Sequence, residues 1–307
     1  MNKTKIAWAD LTWNPVTGCS PASEGCDHCY ARAMARRFNK FKTPDSDDGY
    51  VPEPGEKEIN PDYFKVVLHP EKLDEPIHRR KPARIFVCSM SDLFHPDVPD
   101  DFIFRVLLRI AYSPQHTFLI LTKRAERMRN IFTSLGMEKI LKCDNKTAYL
   151  YLPNVWLGVT AENQPRADER IPVLLKIPAA KRFVSFEPML GPARIKEHLM
   201  EFQACDNFLR GKKRGDIIIP KLDWVIVGGE SGPGARECRE EWIKEVYDQC
   251  EAAKVAFFFK QFGSNFIPEC DGTDECGPHR HCPPECHEEG RQHFEGFTWM
   301  NRREWPK

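Results

Sequence analysis

Three of the twelve cysteines, Cys19, Cys26 and Cys29, fall in one short stretch, Asn14-Pro15-Val16-Thr17-Gly18-Cys19-Ser20-Pro21-Ala22-Ser23-Glu24-Gly25-Cys26-Asp27-His28-Cys29-Tyr30. Their spacing is C-x6-C-x2-C. Thiolates gathered this closely select soft metals or iron–sulfur clusters. A structural zinc normally takes four protein ligands, and a fourth would have to be His28 or a distant residue. Three cysteines with no evident fourth fit a [4Fe–4S] cubane that keeps one iron open. Zinc, and thiols that hold nothing, are the alternatives. Gly18, Pro21 and Gly25 bend the stretch into a loop. Asp27 reads as the N-cap of a helix running to about residue 39, with Ala31, Ala33, Met34 and Ala35 as helix formers.

An open iron can chelate the amino and carboxylate groups of S-adenosylmethionine (SAM). Electron transfer then breaks a C–S bond and yields a 5′-deoxyadenosyl radical. A second group, Cys270, Cys276, Cys282 and Cys286, lies among His279, His281 and His287 at C-x5-C-x5-C-x3-C. It is a candidate second metal site, for zinc or an auxiliary cluster, in a segment with few apolar residues for a core. Thiols without a metal are the other reading. Cys88, Cys143, Cys205, Cys238 and Cys250 read as small buried hydrophobes.

These groups need a scaffold. Six short apolar runs recur, at 84–88, 117–121, 155–159, 182–186, 224–227 and 255–259. They are nearly continuous in apolar character, as suits strands covered on both faces, and their starts are a βα unit apart. Amphipathic helices are expected over 100–112, 124–141 and 240–253. In the first, Ile103, Val106, Leu107, Ile110 and Ala111 share a face, and Pro99, Asp100 and Asp101 suit its start. Repeated strand and helix argue for α/β with a parallel sheet. The expected fold is a partial (β/α)6-type, TIM-like barrel over residues 1–262, with a Cys/His-rich C-terminal extension over 263–307. Residues 41–62 read as a surface insertion and 203–221 as containing a loop.

Each run ends in polar residues, and in a barrel such ends meet at one mouth. The candidate ligand-binding residues there are Ser89, Ser91, Asp92, Thr122, Lys123, Glu162, Ser185, Glu187, Gly228, Gly229 and Glu230. Lys123 and Arg124 suit a carboxylate or phosphate. Asp92 and His95 suit acid–base or ligand work. Lys260 and Gln261 end the last strand. Gly228-Gly229-Glu230-Ser231-Gly232 lets backbone approach a ligand closely, while Glu230 offers acceptors to an amine or ribose. For each residue, an ordinary turn, salt bridge or solvated surface is the competing reading.

Several motifs carry a resemblance. They are Trp8-Ala9-Asp10-Leu11-Thr12-Trp13-Asn14-Pro15-Val16-Thr17-Gly18-Cys19, Cys26-Asp27-His28-Cys29-Tyr30-Ala31, Ser89-Met90-Ser91-Asp92-Leu93-Phe94-His95, Leu121-Thr122-Lys123-Arg124, Asn154-Val155-Trp156-Leu157-Gly158-Val159, Phe186-Glu187-Pro188-Met189-Leu190-Gly191-Pro192 and Trp224-Val225-Ile226-Val227-Gly228-Gly229-Glu230-Ser231-Gly232. Over about residues 5 to 262 the chain resembles a phage-associated family of uncharacterised proteins with a three-cysteine motif. That family in turn resembles the radical SAM superfamily. The resemblance implies a (β/α) barrel, a [4Fe–4S] cluster, SAM as cosubstrate, and a reductant protein such as flavodoxin or ferredoxin. The superfamily's common motif is C-x3-C-x2-C, so the first gap departs from it. Its Gly-Gly-Glu follows the second strand. Here Ser89, Ser91 and Asp92 hold the corresponding place, and Gly228-Gly229-Glu230 follows a late strand.

Lys+Arg and Asp+Glu both number 45, so no overall charge draws the chain to nucleic acid. The phage-associated resemblance suits a nucleic acid or nucleotide as the candidate substrate, and the basic runs His78-Arg79-Arg80-Lys81 and Arg210-Gly211-Lys212-Lys213-Arg214 are compatible with it, solvated surface being the leading reading of each run. No apolar stretch is long enough for a membrane span, and no export signal is evident, so a cytoplasmic protein without a membrane partner is expected. The leading function is reductive cleavage of SAM followed by hydrogen abstraction from an unnamed substrate. A zinc-binding, non-catalytic adaptor for nucleic acid or protein is the alternative, and a cluster-free barrel hydrolase or lyase is the third.

Overall fold

The computed structural model describes residues 1–39, 63–133, 151–200, 202–203, 218–267 and 302–306. The second cysteine group, the 41–62 insertion, and the 134–141 end of the second expected helix lie outside them. Two compact units divide the chain. The first holds residues 1–160 and 170–182, and the second holds 161–169 and 183–307.

In the first unit, short strands β1 (Asn2–Lys3), β2 (Leu11–Trp13), β3 (Val16–Thr17) and β4 (Val67–Leu68) precede β5 (Arg84–Val87), β6 (Thr117–Thr122) and β7 (Val155–Thr160). β2, β5, β6 and β7 pair in parallel, β1 adds an antiparallel edge, and β3 pairs with β4. The register aligns Trp13 with Val87, Val87 with Ile120, and Ile120 with Leu157. All four are buried. Because parallel strands in this register end at a common level, the chain beyond Trp13, Val87 and Leu121 emerges along one sheet edge. The cysteine loop follows β2 on that edge.

Helices α1 (Tyr30–Asn39), α2 (Glu75–His78), α3 (Asp100–Ala111) and α4 (Ala125–Phe132) belong to this unit. On α3, Phe102, Ile103, Val106, Leu107 and Ile110 are buried. Ala111, expected on that face, is exposed in the last turn, and Phe102 takes part instead.

β8 (Lys181–Phe186) and α5 (Gln164–Leu175) are each divided between the units. The strand order in the first unit is β1-β2-β5-β6-β7, and the second unit holds β11 (Trp224–Gly228) and β13 (Ala256–Gln261). The second unit also holds the small pairs β9 (Phe202–Gln203) with β10 (Ile218–Ile219), and β12 (Cys238–Arg239) with β14 (Phe266–Ile267). β8, β11 and β13 pair in parallel, with Phe186, Val227 and Phe259 at one level. Helix α6 (Glu240–Ala253) buries Ile243, Val246, Tyr247 and Cys250, and its Tyr247 ring meets Phe257 edge-on at 5.3 Å. The fold is mixed α/β with a mostly parallel central sheet.

The final described residues return to this unit. Arg302 carbonyl accepts from Phe259 N–H, and Glu304 N–H donates to Phe257 carbonyl. Trp305 lies 4.8 Å from Trp224 and 5.7 Å from Phe258, ring to ring. Residues 264–267 and 302–306, expected as parts of a tail, are thus bound to the second unit. Among the described residues, no helix is long and apolar enough to cross a membrane.

Candidate functional site

Gly18 sets the entry to the cysteine loop. Its φ is +83°, and a Cβ there would lie 1.9 Å from the Lys65 carbonyl oxygen. The backbone is clamped on both sides: Gly18 N–H donates to Met90 carbonyl at 3.0 Å, and Cys19 N–H to Phe64 carbonyl at 3.0 Å. The loop then forms a single 3-10 turn at Glu24–Cys26. Helix α1 follows, with Cys29 carbonyl accepting from Ala33 N–H. Cys29 therefore stands where the sequence suggested Asp27, as the residue whose carbonyl takes the first helical bond.

Cys19, Cys26 and Cys29 are free thiols, each half-buried. Two of them meet N–H donors. Ala22 N–H points at Cys26 Sγ over 3.4 Å, and Arg124 Nη1 at Cys19 Sγ over 3.7 Å. Burial, and then the Asp92 carboxylate, push the Cys19 thiol up to about 11, against the pull of Arg124. Ligation there requires release of a proton. Among the described residues, no group of three or more His, Cys, Asp or Glu is placed to hold a single metal ion.

The turn after β5 supplies the support. Ser89 Oγ donates to Asn14 Oδ1 at 3.2 Å, Ser91 Oγ donates to Val16 carbonyl at 2.9 Å, and Tyr30 Oη donates to Ser89 carbonyl at 2.6 Å. The structure thus brings Ser89 and Ser91 to the cysteine loop and commits their hydroxyl protons to it. Asp92 is buried. Its carboxylate accepts from Phe94 N–H at 2.9 Å, Thr122 Oγ1 at 2.8 Å and Arg124 Nη1 at 2.9 Å. Lys123 contributes its backbone N–H at 3.3 Å. Arg124 reaches onward from Asp92, with Nη2 donating to Ser20 carbonyl at 2.9 Å.

His95 is buried, and its Nε2 lies 2.6 Å from Ser20 Oγ, while Asp97 N–H donates to its Nδ1 at 3.1 Å. Ser20 N–H also donates to Nε2 at 3.2 Å, so Ser20 meets this ring nitrogen with both its backbone and its hydroxyl. Burial, followed by the charge of Arg124, holds His95 below its ordinary pKa. The result is a neutral imidazole latched to the residue beside Cys19. Ser20 and Asn14 were not singled out from the sequence. Their only signal there is their place inside the loop, since their partners lie about 75 residues away.

The remaining candidates lie in the second unit. Glu162 and Ser185 are wholly buried, and Ser185 Oγ has no hydrogen-bond partner among the described residues. Glu187 and Lys260, at the ends of β8 and β13, form an ion pair flanking Gly228. A Cβ at 228 would make only ordinary contact with Lys260 Cβ, at 3.4 Å, so packing there does not require glycine. Gly229 is required by packing, as its Cβ would fall 1.9 Å from Phe262 carbonyl oxygen. Glu230 is buried, and both its oxygens are engaged by Arg236, Oε1 by Nη2 at 2.7 Å and Oε2 by N–H at 2.9 Å and Nε at 3.1 Å. The carboxylate that the sequence offered to an amine or ribose is occupied by this guanidinium.

Residues 3–301 match the family described as proteins of unknown function, DUF5131. The chain belongs to DUF5131. The match to this family takes in both cysteine groups and every strand of the central sheet except the first residue of β1. No curated protein and no solved structure matches the chain.

Proposed function

We propose that this DUF5131 protein is a radical SAM enzyme that binds a [4Fe–4S] cluster through Cys19, Cys26 and Cys29. The observation that carries the reading is the loop itself: three free, half-buried thiols at the carboxyl edge of a parallel strand, two of them facing N–H donors. Such donors stabilise sulfur that carries negative charge. Three cysteines would hold three irons of a cubane and leave the fourth for SAM, whereas a structural zinc takes four protein ligands. A cubane presents its irons at separate corners, so its thiolates do not converge on a point as zinc ligands must.

When bound, the cluster and SAM would supply one-electron cleavage of a sulfonium C–S bond, giving methionine and a 5′-deoxyadenosyl radical for hydrogen abstraction. The chain's own residues do the holding. Asp92 fixes Arg124, Arg124 fixes Ser20 carbonyl and faces Cys19 Sγ, and His95 latches Ser20. On this reading the sheet belongs to a partial (β/α)6-type barrel, the protein works in the cytoplasm, and flavodoxin or ferredoxin supplies the electron.

Anaerobic reconstitution with iron and sulfide tests the proposal. The protein is expected to turn brown with broad visible absorbance, and Cys19→Ala, Cys26→Ala or Cys29→Ala each to abolish it. Dithionite and SAM are then expected to release 5′-deoxyadenosine. A colourless protein carrying stoichiometric zinc would overturn the reading in favour of the adaptor.

A further inference from the structure

A cavity of about 500 Å³ opens in the second unit where two turns lock together. Ser231, Phe259, Lys260, Gln261, Phe262, Gly263, Ser264 and Arg303 line it, and the hydrogen bonds of its two serines decide its chemistry. Gln261 Nε2 donates to Ser231 Oγ at 2.6 Å, and Gly232 N–H donates to Ser264 Oγ at 2.9 Å. Each hydroxyl oxygen is therefore an acceptor, and among the described residues its own proton goes to no protein group, which leaves it for a ligand.

The turns hold these hydroxyls in place. Gly229 N–H donates to Gln261 carbonyl at 2.9 Å, and Ser264 N–H to Glu230 carbonyl at 2.8 Å. Gly263 has φ +89°, and a Cβ there would lie 2.5 Å from Glu230 carbonyl oxygen, so this close approach needs glycine. Arg303 adds a guanidinium from an exposed position, while the Lys260 ammonium is held by Glu187. Phe259 and Phe262, edge-on at 4.8 Å, give the cavity an apolar wall.

We propose that this cavity binds a phosphate group carried on an organic ligand, a nucleotide or a nucleic-acid strand. Two hydroxyl donors and a guanidinium suit a tetrahedral oxyanion with several acceptor oxygens better than a planar carboxylate with two. The phenylalanine wall suits the organic part. The inference stands apart from the cluster, since none of these residues belongs to the cysteine loop and the test needs no metal.

Calorimetric titration of the metal-free full chain decides it, using inorganic phosphate, thymidine monophosphate and a short oligothymidylate. Binding of phosphate is expected, weakened about tenfold or more by Arg303→Gln and by Ser231→Ala with Ser264→Ala. Circular dichroism checks each variant's fold. If the serine pair fails to fold, the exposed Arg303→Gln carries the test alone. Tighter binding of the oligothymidylate identifies nucleic acid as the source of the phosphate, and equal binding of the monophosphate identifies a free nucleotide. No binding by the unaltered chain, or equal binding by folded variants, would overturn the proposal.

Discussion

Arg124 joins three things that lie far apart in the chain: the Asp92 carboxylate, the Ser20 carbonyl and the Cys19 sulfur. Its replacement should separate two roles. Arg124→Gln leaves a buried carboxylate without its cation, which is expected to cost about 3 kcal/mol in urea unfolding. It also removes a donor facing a proposed ligand, for which a loss of about 10–100-fold in iron affinity is expected. Adding Asp92→Asn should recover much of the stability and none of the iron affinity, and a double-mutant cycle measures both. At this scale the gathering of Cys19, Cys26 and Cys29 in one loop was legible from their spacing, and the soft-metal chemistry read from it stands as the proposal. Lys123 was picked out beside Arg124 for its charge, yet the structure uses its backbone N–H toward Asp92. Glu230 was read as an open acceptor, and Arg236, six residues on, occupies it. Side-chain pairing across a turn leaves no periodic trace in sequence.

Secondary-structure elements were easier to read where burial is uniform. The six apolar runs all form strands, because a strand covered on both faces needs apolar residues at every position. β2 escaped notice since only three residues, Leu11–Trp13, pair. Helix α5 was missed for another reason: Pro172 interrupts its interior, and proline ordinarily argues against a helix. Helix α4 shows how an element is tied to the site. Arg127 on it donates to the carbonyls of His95 and Val98 and pairs with Asp100 at 2.9 Å. Arg127→Ala is expected to destabilise the protein by about 2 kcal/mol in chemical denaturation, the scale of lost charge-assisted hydrogen bonds. Arg129→Ala, on an exposed i,i+3 pair, should change it by less than about 0.5 kcal/mol.

Over the whole molecule, partly or fully desolvated histidines couple folding to pH. Burial holds His116 and His198 below the ordinary imidazole pKa. Both stay neutral in the folded chain at pH values where the unfolded chain has taken up protons. Their contribution is complete above about pH 6.5 and is lost as pH falls through the folded values. The thermal unfolding midpoint should therefore drop on acidification, and His116→Gln with His198→Gln should flatten that dependence. The α/β class followed from the recurrence of strand and helix. The return of residues 302–306 did not, because backbone pairing at a sheet margin asks for no special side chains. That return has a consequence for solubility. β13 is the last strand of its sheet, and Ala256-Phe257-Phe258-Phe259 would otherwise expose unpaired amides along a row of aromatic residues. Such a margin is a template for joining a second molecule. By capping it, the closing residues guard the protein against edge-to-edge aggregation, a duty independent of whatever chemistry the cysteines perform.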